Sequence, residues 1–231
     1  MIIGGFQRFS LIDFPGKICA IVFTQGCNFR CPYCHNPELV VDAERPSVGT
    51  FSDREVMSFL ERRKGKLDAV TITGGEPLLQ PDLADFLSRV RALGYLTKLD
   101  TNGSFPHRLE GIIQSKSVDY LAMDIKATPE KYRSVIRKKI DISKILESIT
   151  LIKDSGLDYE FRTTVVKPLF EREDFLEIGR LAQNCKLYVL QRFVASKTLE
   201  EEFLSRQTYS DEELDGFKGI METFAQKCIV R

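Results

Sequence analysis

The chain has 231 residues, 43% of them hydrophobic, which is enough for one compact core and little more. Lysine plus arginine and aspartate plus glutamate each total 33, so no net charge attracts nucleic acid or an anionic membrane surface. No apolar run reaches the roughly 20 residues of a membrane span, and the first residues, MIIGGFQRFS, lack the features of a secretory signal. We therefore expect a cytoplasmic protein of one domain, residues 1–231, without nucleic-acid or membrane partners.

Six apolar, β-branched segments predict strands, and segments with apolar residues three to four positions apart predict helices between them. The strands are expected at residues 18–25, 68–74, 96–103, 118–126, 159–166 and 186–193. The helices are expected to begin near residues 51, 81, 143 and 172. Ser52, three residues before Glu55, is typical of a capping box at the first of these helices.

Strands that alternate with helices favour parallel pairing through right-handed crossovers. A full eightfold barrel needs more chain than this protein has. We therefore predict an α/β fold, an incomplete (βα)6 TIM-like barrel of parallel strands. Its core is expected at 18–195, preceded by a lead-in at 1–17 and followed by a helical extension at 196–231.

Chemically distinctive residues follow the predicted strands. A cysteine-rich loop follows the first strand, Gly74-Gly75-Glu76 follows the second, Asp100-Thr101-Asn102 ends the third, and Asp124 and Lys126 end the fourth. Ligands bind at the carboxyl ends of strands in folds of this class. We expect these residues to belong to one functional site.

The cysteine loop carries Cys27, Cys31 and Cys34, a set of three thiols that suits a soft metal or an iron-sulfur cluster. Structural zinc normally takes four protein ligands, and no second cysteine pair follows at the usual spacing. His35 is a candidate fourth ligand, although adjacent Cys34 and His35 would have difficulty reaching one small ion. A cubane cluster held at three irons leaves its fourth iron open to a substrate. Buried thiols or a zinc knuckle remain the alternatives.

The segment from Cys27 to Cys34, CNFRCPYC, resembles the signature of the radical S-adenosylmethionine (SAM) enzymes. The following residues, His35-Asn36-Pro37, resemble more specifically the activases of glycyl-radical enzymes, above all the activating protein of anaerobic ribonucleoside-triphosphate reductase. This resemblance extends from about Leu11 to Phe193. The stretch Leu190-Gln191-Arg192-Phe193 differs from the histidine-containing pattern of pyruvate formate-lyase activases, which favours the ribonucleotide reductase branch.

The resemblance implies that Cys27, Cys31 and Cys34 bind one 4Fe-4S cluster, whose open iron takes the amino and carboxylate groups of SAM. Reduction by a donor such as flavodoxin or ferredoxin then cleaves SAM to methionine and a 5′-deoxyadenosyl radical. In activases this radical removes a hydrogen from a glycine of a partner enzyme, here anaerobic ribonucleotide reductase. The cluster and SAM carry the difficult chemistry, so no further catalytic residue is expected.

The resemblance also assigns roles to the residues at the strand ends. Gly74, Gly75 and Glu76 match the motif that contacts the SAM amino group, although Glu76 is equally suited to start a helix. Asp100-Thr101-Asn102 and Asp124-x-Lys126 match two further activase motifs. Their implied roles are a monovalent-cation site at Asp100, Thr101 and Asp124, with Lys126 near SAM. For each carboxylate the alternative is an ordinary cap or a solvent-facing side chain.

Four other residues complete the candidate site. Arg162 lies within an apolar strand, so it is either salt-bridged or a SAM contact. The resemblance implies that Tyr33 packs beside the adenine and that His35 lies behind the cysteine ligands. Asp13, in an Asp-x-Pro-Gly stretch, is the candidate contact with the partner enzyme.

Two other functions remain open at this point. One is a radical SAM enzyme of the 7-carboxy-7-deazaguanine synthase type, which acts on a small molecule; residues 35–37 and the Asp-x-Pro-Gly stretch argue against it. The other is a structural metal-binding module without activity, under which the motifs at successive strand ends have no purpose. Cys19, Cys185 and Cys228 have no companion at ligand spacing and are expected to act as small hydrophobic residues.

Overall fold

A computed structural model describes residues 1–40 and 51–231. These residues form two compact units. Unit 1 comprises Met1–Asn28, Glu38–Thr101 and His107–Leu121, and unit 2 comprises Phe29–Pro37, Asn102–Pro106 and Ala122–Arg231.

Unit 1 is built from strands that alternate with helices along the chain. Its elements are β1 (Ile3–Ser10), β2 (Cys19–Thr24), a 3-10 helix (Pro37–Leu39), α1 (Asp53–Arg62), β3 (Ala69–Gly74), a 3-10 helix (Pro77–Leu79), α2 (Leu83–Ala92), β4 (Leu96–Thr101), α3 (Pro106–Gln114) and the start of β5 (Tyr120–Asp124). Strand β1 is antiparallel to β2, with Ile3 opposite Thr24. Strands β2, β3 and β4 are parallel, and Ala69 lies opposite both Cys19 and Leu96.

Local sequence explains how these elements begin and pack. The Ser52 side chain accepts a hydrogen bond from the Glu55 backbone, and the Glu55 side chain accepts one from the Ser52 backbone. This reciprocal pair confirms the predicted capping box. Apolar side chains of alternating strand positions, among them Ile21 and Ala69, form a buried cluster in which Cys19 acts as a small hydrophobic residue.

Unit 2 continues the same alternation. Its elements are the end of β5, α4 (Pro129–Ile136), α5 (Ile142–Asp154), β6 (Asp158–Val165), α6 (Arg172–Leu181), β7 (Tyr188–Arg192), a 3-10 helix (Glu201–Ser205), α7 (Asp211–Met221) and β8 (Cys228–Val230). Strands β6, β7 and β8 are parallel, and Tyr188 lies opposite both Phe161 and Cys228.

The strand order follows the chain, β1 to β5 in unit 1 and β5 to β8 in unit 2. The six predicted strands are β2 to β7, so the predicted α/β class with mostly parallel strands is confirmed. Two strands were not predicted: β1 lies in the 1–17 lead-in, and β8 ends the 196–231 extension, which is therefore not purely helical. Within residues 1–40 and 51–231, no helix is both long and apolar enough to cross a membrane.

Candidate functional site

The glycine turn after β3 packs directly on the backbone that leads to Cys27. The Gly75 amide donates a hydrogen bond to the Thr24 carbonyl at 2.9 Å. A Cβ on Gly75 would lie 2.0 Å from the Gly26 oxygen, and one on Gly74 would lie 2.4 Å from the Thr24 nitrogen. Gly74 also has a φ of 119°, which side chains rarely permit. Only glycine fits at both positions, so this turn holds the chain that enters the cysteine loop.

Glu76 is a fully buried carboxylate, with 0% of its surface exposed. Its amide donates to the Gly26 carbonyl at 2.8 Å. Its Oε1 accepts hydrogen bonds from the Leu78 amide at 3.0 Å and from the Thr101 hydroxyl at 2.8 Å. Glu76 is thus the N-cap of the 3-10 helix and joins the end of β4 to the glycine turn. Starting a helix is the role that the sequence left as the alternative to a SAM contact. Its contact with SAM stays a prediction.

Asp100 has a charged neighbour that the sequence analysis missed. Lys98 is only 2% exposed, and its Nζ lies 2.8 Å from Asp100 Oδ1 and 5.9 Å from the centre of the Tyr120 ring. A lysine two positions before an aspartate on a strand shares its face, and this spacing was the signal available in the sequence. The Asp100 carboxylate is therefore already next to a protein cation.

Asp13, the candidate partner contact, lies in unit 1. Its carboxylate accepts a short hydrogen bond from the Ser10 hydroxyl. Its backbone carbonyl accepts one from the Thr71 hydroxyl at 3.3 Å. These bonds fix the loop between β1 and β2, so Asp13 has a defined position in the unit.

In unit 2, Asp124, Lys126 and Arg162 form one cluster of charges. Arg162 Nε donates to Asp124 Oδ1 at 2.8 Å, and Lys126 Nζ donates to Asp124 Oδ2 at 3.0 Å. Burial by itself would raise the Asp124 pKa, but the two cations outweigh it and hold that pKa well below its usual range. Burial opposes the charge of Lys126 in the same way, yet Asp124 raises the Lys126 pKa well above its usual value. All three groups are charged at neutral pH.

Arg162 has a second acidic neighbour. Its NH1 atom lies 3.7 Å from Oε1 of Glu160, which is 0% exposed. The Ile125 amide also donates to the Arg162 carbonyl at 2.8 Å. The structure thus shows the salt-bridged arginine that the sequence left as one of two options. Its contact with SAM stays a prediction.

Cys31 and Cys34 lie in unit 2, and Cys27 lies in unit 1. The Cys34 amide donates to the Cys31 carbonyl at 3.1 Å, which closes a turn. Burial raises the pKa of the Cys31 thiol to about 11, and the nearby Lys126 charge offsets only part of that effect. A metal that binds Cys31 must therefore displace its proton.

Tyr33 and His35 are fixed by aromatic packing. Tyr33 is 3% exposed and packs on Phe203 with 6.3 Å between ring centres. Its buried hydroxyl has no hydrogen-bond partner among the described residues, although a buried hydroxyl normally has one. His35 stacks on Phe193 at 5.6 Å, and its Nε2 lies 3.1 Å from the Val194 carbonyl.

The surroundings of His35 determine its protonation. Burial of part of the ring lowers the pKa of His35, so the imidazole is neutral at pH 7. In that state the proton is assigned to Nε2, because the Val194 carbonyl can only accept a hydrogen bond. The ring is thus fixed by Phe193 and the Val194 carbonyl, and the place of His35 behind the cysteine ligands stays a prediction.

Asn102 has a local role in unit 2. Its Oδ1 accepts hydrogen bonds from the Ser104 amide at 3.0 Å and from the Ser104 hydroxyl at 2.5 Å. These bonds close the turn after β4, as asparagine commonly does. The amide oxygen of Asn102 is engaged by its own turn.

The donor groups differ in how well they suit the implied cofactors. Among residues 1–40 and 51–231, no group of three or more Cys, His, Asp or Glu side chains is arranged to hold a metal ion. Thiols are nevertheless the donors that a 4Fe-4S cluster requires, and the unpartnered Tyr33 hydroxyl is suited to a polar ligand. A monovalent cation fits less well. Asp100 lies against Lys98, and Asp124 against Arg162 and Lys126, so protein cations already accompany both carboxylates.

Comparison with known proteins gives a consistent family. The sequence profile of the radical SAM superfamily matches residues 21–182. A protein of Methanocaldococcus jannaschii, provisionally named a glycyl-radical enzyme activating enzyme, is 32% identical over 237 aligned residues, which cover 100% of this chain and 95% of that protein. The pyruvate formate-lyase-activating enzyme of Clostridium pasteurianum is 31% identical over 188 residues, 78% of this chain and 75% of that enzyme.

Solved structures agree in fold. The structure of Streptococcus suis SuiB bound to S-adenosylmethionine superposes with a TM-score of 0.69 at 14% identity, over 91% of this chain and 49% of that chain. A domain of the pyruvate-formate lyase-activating enzyme of Bacteroides vulgatus gives a TM-score of 0.58 at 18% identity, over 71% of this chain and 99% of that chain. At these identities the likeness concerns the fold alone.

Proposed function

The chain belongs to the radical SAM superfamily and, within it, to the glycyl-radical enzyme activating enzymes, and on this premise we propose that its partner is an anaerobic ribonucleoside-triphosphate reductase. Membership of an enzyme family removes the hypothesis of an inactive structural module. When bound and reduced, the 4Fe-4S cluster and SAM supply the 5′-deoxyadenosyl radical that removes a hydrogen from the partner's glycine. Every other role belongs to residues of this chain.

The main support for the proposed function is the cysteine loop with its continuation His35-Asn36-Pro37. The chain that contains this loop matches an activating enzyme over most of its length. Cys27, Cys31 and Cys34 are the proposed cluster ligands. The glycine turn at Gly74 and Gly75 supports the segment before Cys27 through its backbone bond to Thr24. This turn limits how far the first ligand can move.

The charged cluster of unit 2 is suited to a zwitterionic ligand. Lys126 is held charged by Asp124, and its charge also acts on Cys31 and Tyr33, so it is proposed to attract the SAM carboxylate. Arg162 holds the other oxygen of Asp124 and thereby orients it. The Tyr33 hydroxyl is proposed to meet a polar atom of SAM, which would satisfy a group that otherwise lacks a partner among the described residues.

The end of β7 supports the choice of the ribonucleotide reductase branch. Arg192, near the place where pyruvate formate-lyase activases carry a histidine, donates to the Tyr209 carbonyl at 3.2 Å and forms a short ion pair with Asp211. An arginine engaged in this way is no substitute for a neutral imidazole. The adenosine side of the site is therefore expected to differ from that of pyruvate formate-lyase activases.

Four finer points remain predictions. The monovalent cation rests on the resemblance alone, because Lys98, Arg162 and Lys126 already accompany its proposed carboxylates. The electron donor, flavodoxin or ferredoxin, is also implied only by the resemblance, and the cytoplasmic location is an expectation from the sequence. Asp13 is proposed to meet the partner enzyme.

The proposal is tested anaerobically with the reconstituted and reduced enzyme. SAM and a purified anaerobic ribonucleotide reductase are added, 5′-deoxyadenosine is quantified, and the reductase is examined by electron paramagnetic resonance. We expect SAM cleavage together with a glycyl-radical doublet on the reductase. The matched control is Cys185→Ala, which removes a buried thiol of the same type without touching the loop and should retain both signals.

Two results would contradict the proposal. A radical on pyruvate formate-lyase but not on the reductase would move the enzyme to the other activase branch. SAM cleavage with no radical on either protein, but with turnover of a purine-like small molecule, would favour the 7-carboxy-7-deazaguanine synthase type.

A further inference from the structure

A basic cavity lies on the surface of unit 2, where α4 ends. It has a volume of about 570 Å³ and is lined by Arg133, Arg137, Lys138 and Lys139, together with Glu130 and Ser134. The four basic residues are exposed, and the chain as a whole has no net charge. Within the described residues, Arg133, Lys138 and Lys139 form no ion pair. The cavity is therefore a local concentration of positive charge.

Helix stability explains only part of this charge. A basic residue in the last turn of a helix is favoured by the helix dipole, which accounts for Arg133. Arg137, Lys138 and Lys139 follow the helix end. Arg137 moreover has a φ of 51°, in the left-handed region where glycine or asparagine is the usual residue after a helix.

The basic cavity adjoins the cysteine loop. The amide of Arg30, the residue before Cys31, donates to the Ile136 carbonyl at 2.9 Å, one residue before Arg137. The carbonyl of Pro32, the residue after Cys31, accepts from the Glu200 amide at 3.0 Å. Glu200 in turn forms a short ion pair with Arg137. The backbone on both sides of Cys31 is thus joined to the segment that lines the cavity.

From this placement we infer that the basic cavity docks an acidic one-electron donor protein of the flavodoxin class. The inference rests on the proposed function, in which a cluster at Cys27, Cys31 and Cys34 must be reduced. The donor's reduced flavin loses one electron and the cluster gains it, with no bond formed or broken. Redox complexes have small interfaces that depend on complementary charge, and an exposed basic surface beside one cluster ligand meets both conditions.

The test uses two variants of equal charge. Lys138→Glu with Lys139→Glu reverses the charge of the basic cavity. Lys64→Glu with Lys66→Glu makes the same change at two exposed lysines of unit 1 and serves as the control. Each reconstituted protein is mixed with a reduced, acidic flavodoxin or with dithionite, and cluster reduction is followed by the electron paramagnetic resonance signal of the reduced cluster in samples frozen at successive times. Binding of oxidised flavodoxin to each protein is measured without SAM.

Electrostatic steering changes association rates by roughly tenfold to a thousandfold at low salt. We expect the cavity variant to be reduced by flavodoxin at least about tenfold more slowly than wild type, and to bind oxidised flavodoxin about tenfold more weakly. The difference should shrink as salt is added, because salt screens exposed charges. Reduction by dithionite should be equal in all three proteins.

Three outcomes would overturn the inference. Equal rates in the cavity variant and wild type would show that the basic cavity does not receive the donor. Equal losses in both variants would show a general charge effect. A parallel loss with dithionite would show that the substitutions disturb the cluster site itself. Failure of the proposed function is distinguishable, because dithionite-reduced wild type would then yield no glycyl radical while the flavodoxin comparison still holds.

Discussion

The pair Lys98 and Asp100 in β4 offers a quantitative test of the site. Lys98→Met keeps the length and apolar stem of the side chain but removes the ammonium group that lies 2.8 Å from Asp100 Oδ1. The Asp100 side chain, which is 12% exposed, would then have lost that cation. Removal of one partner from a buried ion pair is costly because the remaining charge loses that compensation.

The cost can be worked from the geometry. At 2.8 Å the attraction between two unit charges is about 6 kcal/mol at an effective dielectric constant of about 20. Desolvation of the two groups offsets several kcal/mol of that attraction. We therefore expect Lys98→Met to lower the free energy of unfolding by about 3 kcal/mol.

Urea unfolding of the cluster-free protein measures this loss. A double-mutant cycle with Asp100→Asn should give a coupling energy above about 1 kcal/mol, because each single change removes the same pair. Lys66→Met, at an exposed lysine, is the control and should change stability by no more than about 0.5 kcal/mol. A coupling energy near zero, or a loss equal to that of the control, would refute the account of β4.

Three further predictions concern other parts of the site. Gly75→Ala should lower the free energy of unfolding by about 1–3 kcal/mol, because its Cβ would lie 2.0 Å from the Gly26 oxygen. The loss is measured as a lower Tm, and an unchanged Tm would contradict the packing described. Asp124→Asn should destabilise the protein at pH 7 by about 3 kcal/mol. The Asp124 pKa is depressed in the fold, so the difference in unfolding free energy between wild type and variant should be complete above the ordinary carboxyl pKa of about 3.9. It should shrink as the pH falls below that value. A difference that does not change with pH would argue against the ion pairs. Cys31→Ala should abolish iron binding measured by elemental analysis, whereas equal iron loss in Cys185→Ala would mean that the ligands are misassigned.

The strands that carry the site could be predicted because their apolar, β-branched sequences are buried on both faces. Strands β2 to β7 lie within one or two residues of their predicted starts, and the capping box at Ser52 is local chemistry that needs no tertiary information. Helix α4 was missed although Thr128 and Pro129 provide a normal helix start. Strand β1 was missed because its glycines and polar residues give a weak strand pattern, and its pairing with β2 stabilises it.

The chemistry of the site was predictable in kind but not in its partnerships. A sequence motif names Asp124, Lys126 and Arg162, yet only the fold shows that one carboxylate holds both cations. Lys98 belongs to no motif, and its burial beside Asp100 follows from strand geometry. Contacts between elements distant in sequence depend on tertiary packing, which local patterns do not specify.

Isotope transfer can show whether the proposed reaction, removal of a hydrogen from a glycine of anaerobic ribonucleotide reductase, takes place. The reductase is produced with glycine deuterated at Cα and mixed with reduced enzyme and SAM, and the 5′-deoxyadenosine is analysed by mass spectrometry. If the radical takes its hydrogen from that glycine, the 5′-deoxyadenosine will have gained one deuterium. Continued SAM cleavage without deuterium in the product would contradict it.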